Sequence, residues 1–212
     1  MTKIHGIWSA IALVGLGAFA TGSVAEETPP PSFEARLAQA TQLLNVGPSG
    51  LSGPGATTLT EAVAASRYVL IGESHLTREI PAFTTQVCRL MAPTGLTAMV
   101  IETGPEAAQV VDAAMRASDP EAEMSAFVRR HPDGIAFFHG RDEIRMTADC
   151  AAAAGPDFSL WGLDQEFLGS SGHLLAEMLA ANPGPVAQAA LSDLAAKEGE
   201  ATAAAMASGS PF

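Results

Sequence analysis

The stretch Val69-Leu70-Ile71-Gly72-Glu73-Ser74-His75 decides how this chain reads. Tyr68 to Ile71 is a continuous apolar run between Arg67 and Gly72. An unbroken run of that length suits a strand covered on both faces, as in a parallel sheet. Downstream, Pro81 opens a helix to about Met91, and Pro93 with Gly95 ends it. Ala98-Met99-Val100-Ile101 is a second buried strand, followed at once by Glu102. Helices are predicted from Pro105 to Ala117, from Asp119-Pro120 to about Arg130, and from the loop at Gly140 into Ala154. Phe158 to Leu163 is a third strand, ending at Asp164, and two helical stretches follow, Ser171 to Ala181 and Val186 to Ala207. Upstream, Phe33, Leu37, Ala40 and Leu44 form a helical stripe over Phe33 to Asn45. Gly47 to Gly55 is rich in glycine and proline and reads as a loop, and Thr58 with Glu61 has capping-box spacing for a helix through Ala65. Strands alternating with helices predict an α/β fold: a parallel sheet with flanking helices and three recognisable strands.

The chain has 212 residues, with 23 acidic and 11 basic side chains and a net charge of −12. That length predicts one domain, at most two. With 48% apolar residues a core can form and global disorder is excluded. The acidic balance argues against tracking nucleic-acid phosphates and against electrostatic docking on anionic lipid. A small-molecule substrate or ligand is the expected partner.

The first 25 residues read as a signal peptide. Lys3 is a short basic lead, Ile7 to Ala20 is apolar or small, and Ser23 and Ala25 suit a cleavage site. A retained anchor is the alternative, but a spanning helix needs ~20 predominantly apolar residues and this stretch carries glycines and hydroxyls. The expected layout is 1–25 signal peptide, 26–57 a Pro/Gly-rich leader with one helix, and 58–212 the α/β domain, in a periplasmic or secreted protein without a stable membrane anchor after cleavage. Cys88 and Cys150 could pair in that setting. Packing as two small buried thiols is the preferred reading. Without a CxxC pattern they form no thiolate zinc site.

Each predicted strand is followed directly by an acidic residue: Gly72-Glu73-Ser74-His75, Glu102, and Asp164-Gln165-Glu166. Open parallel sheets bind ligands beyond the carboxyl ends of their strands. Adjacent strands would bring Glu73, His75, Glu102 and Asp164 to one rim, an arrangement suited to acid–base work or to a metal held by Glu73, His75 and Glu102. Singly, Glu73 and Glu102 could instead cap helices, His75 could be a loop histidine and Asp164 a turn former. His131 reads as a loop residue, His139 as a weaker candidate for the pocket wall, and His173 as structural. Arg78 could bind an anionic group or pair with Glu79. No phosphate-loop lysine follows the glycine-rich segment, and no Gly-x-Ser-x-Gly elbow exists.

The Gly72-Glu73-Ser74-His75 motif, Met99-Val100-Ile101-Glu102 and Gly162-Leu163-Asp164 together resemble a broad superfamily. It holds the erythromycin esterase-like hydrolases, the ChaN-type haem-binding lipoproteins and the TraB/Tiki proteins. The likeness covers about Tyr68 to Phe167. It implies ester or amide hydrolysis, with His75 as general base on water and Glu73 and Glu102 orienting or assisting it. The Gly-Glu-x-His spacing is similar to that of the ChaN-like branch, which implies haem or iron binding without chemistry as the alternative. Haem would need an axial ligand, here His75 or His139. Superfamily members also carry a further histidine after a later strand. None follows Asp164 in that way here, so the expectation is a shortened or C-terminally truncated member, and an inactive fragment is the third reading.

The exported protein is expected to begin at Glu26, with a net charge of 10 − 23 = −13 once Lys3 is removed. Mass spectrometry of the exported form checks this, and an intact Met1 in a membrane fraction would show an anchor instead.

Overall fold

The computed structural model describes residues 30–209. The signal peptide expected at 1–25 lies outside the described residues. The chain divides into two units between Thr41 and Gln42. In the first, α1 (Phe33–Ala40) starts where the Ser32 hydroxyl accepts from the Ala35 N–H. It is shorter than the predicted Phe33–Asn45 because Thr41 turns to an extended backbone.

In the second unit the predicted loop at 47–55 is replaced in part by a hairpin, β1 (Asn45–Gly47) paired antiparallel with β2 (Gly50–Ser52). Gly53 then turns the chain with φ 93°, and a Cβ there would lie 2.7 Å from the Leu43 carbonyl oxygen, so only glycine fits. Gly53 caps α2 (Pro54–Ala64), with Pro54 in its first turn. The capping box at Thr58 does not form: Thr58 sits inside this helix and its hydroxyl donates to Gln42 Oε1 at 2.8 Å.

The body follows as α3 (Glu79–Met91), a single 3₁₀ turn, β3 (Ala98–Ile101), α4 (Pro105–Met115), α5 (Pro120–Arg130), α6 (Arg141–Ala154), β4 (Ser159–Gly162), α7 (Leu168–Ala180) and α8 (Pro185–Ser208). Asp119 caps α5 by accepting from the Ala122 N–H at 3.0 Å. β3 and β4 pair in parallel, Ala98 opposite Ser159 and Ile101 opposite Gly162. Among the described residues this is the one parallel pair, so the fold is mixed helix and sheet with helix predominating.

The predicted first strand is a correction. Residues 68–71 form no strand, and Leu70 is fully exposed. The apolar run is present, but no neighbouring strand takes up its backbone hydrogen bonds. β3 and β4 are covered on one face only. Met99, Ile101 and Leu160 turn inward, while Val100 and Trp161 remain exposed.

The core lies between that inner face and α3, α4, α5 and α6. Val111, Met124, Ile144, Cys150 and Phe158 are its largest fully buried apolar members. α4 is fastened to β4 by Asp112, whose carboxylate accepts from the Leu160 N–H at 3.0 Å and from Arg116 Nε at 2.8 Å. The Arg116 guanidinium holds Asp112 below the usual carboxylate range, against the opposing effect of burial. Arg116 also donates to the Phe158 carbonyl.

Cys88 on α3 and Cys150 on α6 form a disulfide, with Cα atoms 5.3 Å apart, which corrects the reading of two free thiols. The cross-link closes a sequence separation of 62 residues. Chain-entropy reasoning gives about 4 kcal/mol for a loop of that size. The double variant Cys88→Ala/Cys150→Ala is therefore expected to lose about 4 kcal/mol of unfolding free energy, read from its denaturant midpoint.

Candidate functional site

Three segments converge on one histidine. Glu73 and His75 lie in the turn that leads into α3, closed by the Thr77 hydroxyl donating to the Ser74 carbonyl at 2.8 Å. Leu76, next in the chain, has φ 64°, a left-handed conformation that a leucine rarely takes, and its side chain is turned out to solvent. Glu102 directly follows β3. Phe137, in the loop before α6, also sits at positive φ, 65°.

The His75 ring lies flat on the Phe137 ring, with centres 3.7 Å apart and planes 3° from parallel. Phe167 meets the edge of Phe137 at 5.4 Å. This stack fixes the imidazole plane and leaves its edges to the carboxylates. Nδ1 is 3.3 Å from Glu73 Oε1, and Nε2 is 3.7 Å from Glu102 Oε2. The Nδ1 atom is enclosed, yet its approach to Glu73 lacks hydrogen-bond alignment. Glu73 is the more enclosed carboxylate and Glu102 the more open, at 19% and 57% side-chain exposure, so the site opens to solvent on the Glu102 side. One donor atom from each of Glu73, His75 and Glu102 lies within 4.8 Å of the others.

Asp164 does not join them. β4 runs parallel to β3, so Asp164 leaves the sheet at the same end, but its carboxylate accepts from the Gln165 N–H at 2.7 Å, as in a turn. The residue beside it with a definite structural part is Glu166, which the sequence reading passed over. Its carboxylate accepts from the Glu106 N–H at 2.6 Å and the Ala107 N–H at 3.4 Å, the free N-terminal donors of α4. Gly104 makes room for it, since a Cβ there would meet that carboxylate. Gly162 must also be glycine, because a Cβ would strike the Thr103 and Gly104 carbonyls. Together these pin the residues immediately after Glu102.

Phe137 was also missed, although it lies in the Phe137-Phe138-His139 stretch. That stretch was read for its histidine, and stacking leaves no pattern in sequence spacing. His139 lines a separate small cleft with Glu121 and Arg141. Arg78 pairs with Asp142 at 3.3 Å, not with Glu79. His131 and His173 sit together elsewhere, beside Phe127.

His131 titrates below the ordinary histidine value of 6.5 because burial opposes its charge, with His173 and then Arg130 adding repulsion and Glu177 opposing them. A histidine depressed in the folded state takes up its proton more readily when unfolded. Its effect on stability is nil above the unfolded value and becomes a loss as pH falls through 6.5 toward the lower folded value. Thermal melts between pH 7.5 and 5 are expected to fall more steeply for the wild type than for His131→Gln.

Set against protein-family models, curated proteins and solved structures, the chain matches none, so its function has to be read from this site.

Proposed function

We propose that the chain is an exported hydrolase-like protein that cleaves an ester or amide bond at Glu73, His75 and Glu102. The observation that carries this reading is the imidazole held edge-on between two carboxylates by a flat aromatic stack. Attack by water on an acyl carbon needs a base beside the water, and histidine is the side chain suited to accept a proton near neutral pH. Glu73, the more enclosed carboxylate, lies 3.3 Å from Nδ1, where it would orient the ring once the two align. Nε2 is the nitrogen on the open side, and its 3.7 Å gap to Glu102 is too long for a direct hydrogen bond. Water placed at that edge would give its proton to Nε2, with Glu102 aligning it. The resemblance of the three motifs to the erythromycin esterase-like and ChaN-like proteins points to the same residues in the same parts. The parallel pair with its flanking helices would then be the part of an α/β domain that carries the site.

A divalent ion is a second reading, favoured by the three donors lying within 4.8 Å of one another. Two carboxylates and an imidazole are a chemically suitable donor set, and the exposed Glu102 side leaves room for a water. Such an ion would lower the pKa of a bound water and polarise a carbonyl. In that case Glu73 and Glu102 hold the ion and Phe137 fixes the ring that completes the set. A haem would have to take His75 Nε2 as its axial ligand, and the Glu102 carboxylate already stands 3.7 Å from that nitrogen.

His75→Ala is expected to abolish turnover of a panel of aryl esters and lactones while the circular dichroism spectrum stays unchanged. Glu73→Gln should cost about 10- to 100-fold if it only orients the ring, and as much as His75→Ala if it holds an ion. Chelator dialysis separates the two, since only the ion-dependent site loses activity. A His75→Ala protein with wild-type turnover would overturn the assignment.

A further inference from the structure

The outer face of the β3–β4 pair is apolar, open and continuous with the candidate site. Along β3 the side chains that alternate outward are Ala98 and Val100, and Glu102 follows on the same face. Along β4 they are Ser159 and Trp161, and Leu163 follows. Val100 lies opposite Trp161. The Leu163 N–H donates to the Ile101 carbonyl at 3.1 Å, which carries the parallel register on and sets Leu163 beside Glu102. Trp161 is 63% exposed and Leu163 81% exposed.

The Trp161 indole N–H is already used, donating to the Ser159 hydroxyl at 3.0 Å. That bond draws the ring back along its own strand and leaves its face to apolar contact. Glu102 is the one charged side chain among these six, and it stands at the end where the site opens to solvent. Large apolar side chains converging on a few polar groups are the composition of a small-molecule site. Leu76, next to His75, is a further exposed leucine, held at φ 64°.

We propose that this face binds the acyl chain of the substrate, so that the preferred substrates are neutral esters of medium-chain fatty acids. The inference rests on the hydrolytic reading of Glu73, His75 and Glu102. With the acyl carbon at the water beside Nε2, the chain runs from Glu102 back over Leu163, Trp161 and Val100. Ala98 to Glu102 spans about 13 Å, room for about eight to ten carbons in extended form. The carboxylates decide the charge. Glu73 and Glu102 repel an anion, and the chain as a whole carries −12, so the neutral ester is held and the carboxylate product is expelled. In the step itself the water oxygen bonds to the acyl carbon, one water proton passes to Nε2 and on to the departing alkoxide, and the acyl C–O bond breaks. The products are the acid, which then ionises, and the alcohol. A second copy of the chain is a poorer occupant, because it would bury Glu102 without a counter-ion.

The test uses p-nitrophenyl esters from acetate to octanoate and, as a probe that cannot be hydrolysed, methyl n-alkyl ketones. Trp8→Phe leaves Trp161 as the one tryptophan of the full chain, so its emission reports binding at this face. Full burial of a methylene is worth about 4-fold in affinity, and an open face gives about half of that free energy. Ester kcat/KM and ketone affinity should therefore each rise about 2-fold per added methylene, with the Trp161 emission moving to shorter wavelength as ketone binds. Trp161→Ala and Leu163→Ser, both at exposed positions, should each lower the octanoate-to-acetate ratio of kcat/KM about 5-fold. Turnover with the same ratio in wild type and both variants overturns the acyl-binding face and leaves hydrolysis standing. Chain-length-dependent ketone binding that Leu163→Ser weakens, without turnover of any ester, upholds the face as a ligand site and overturns the hydrolytic reading. Ketones that leave the Trp161 emission unmoved, or sedimentation showing a dimer in which that emission is already shifted, overturn the proposal.

Discussion

The packing of α3 against α6, locked by Cys88–Cys150, is the constraint on which the candidate site depends. His75 lies just before α3, and Phe137 just before α6. Neither belongs to a regular element, so neither is placed by a helix or sheet ladder of its own. Each is held at the mouth of a helix, and the two helices are covalently joined inside the core, where Cys88 and Cys150 are both buried. The flat stack of imidazole on phenyl is therefore the surface expression of a buried cross-link. Arg89, beside Cys88, reaches Asp149, beside Cys150, at 3.3 Å, an exposed pair that adds little energy but runs along the same seam.

Glu102 is placed by a separate fastening. Its strand is short, and four residues of parallel pairing do not fix the end of a strand unaided. What fixes it is the crowding after the strand. Gly162 lets the two chains approach until the Thr103 and Gly104 carbonyls occupy the space of a side chain. Glu166 then satisfies the first donors of α4. At the other end of α4, Asp112 and Arg116 hold the start of β4 through Leu160 and Phe158. These contacts place the Glu102 backbone beside the histidine, and its exposed side chain reaches to 3.7 Å of Nε2.

The sequence exposed the site more fully than the fold. Glu73, His75 and Glu102 follow apolar runs, and adjacency at a strand end is a local property that survives even where the strand does not form. Ala98–Ile101 pairs over its whole predicted length. The run at 68–71 has the same composition and fails, because strand formation needs a partner and composition does not reveal whether one is at hand. The hairpin at 45–52 was hidden in a glycine-rich stretch that satisfies loop chemistry equally well. The Cys88–Cys150 pairing could not be read either, since two cysteines 62 residues apart are compatible with both states until their Cα atoms are placed. Asp164 shows the opposite error. It occupies the right position after its strand, but the Gln165 N–H beside it is the nearer donor, and a local turn bond wins over a longer reach.

The weakest of the three anchors decides how the site behaves. Glu102 is held by structure on both sides, whereas Glu73 and His75 hang from a segment with no strand pairing, a fully exposed Leu70 and a strained Leu76. An aromatic stack contributes about 0.5–1.5 kcal/mol beyond its buried area, a factor of about 2 to 13 in population. Opposing this is the cost of holding Leu76 and Phe137 at positive φ, of order 1–3 kcal/mol each. The stack alone does not offset that strain, so the order of His75 rests on the α3–α6 seam. Any ligand that bridges Glu73, His75 and Glu102 adds its own binding free energy to the same turn. Ordering of the turn and occupation of the site are then one equilibrium, because Glu73 and His75 belong to both.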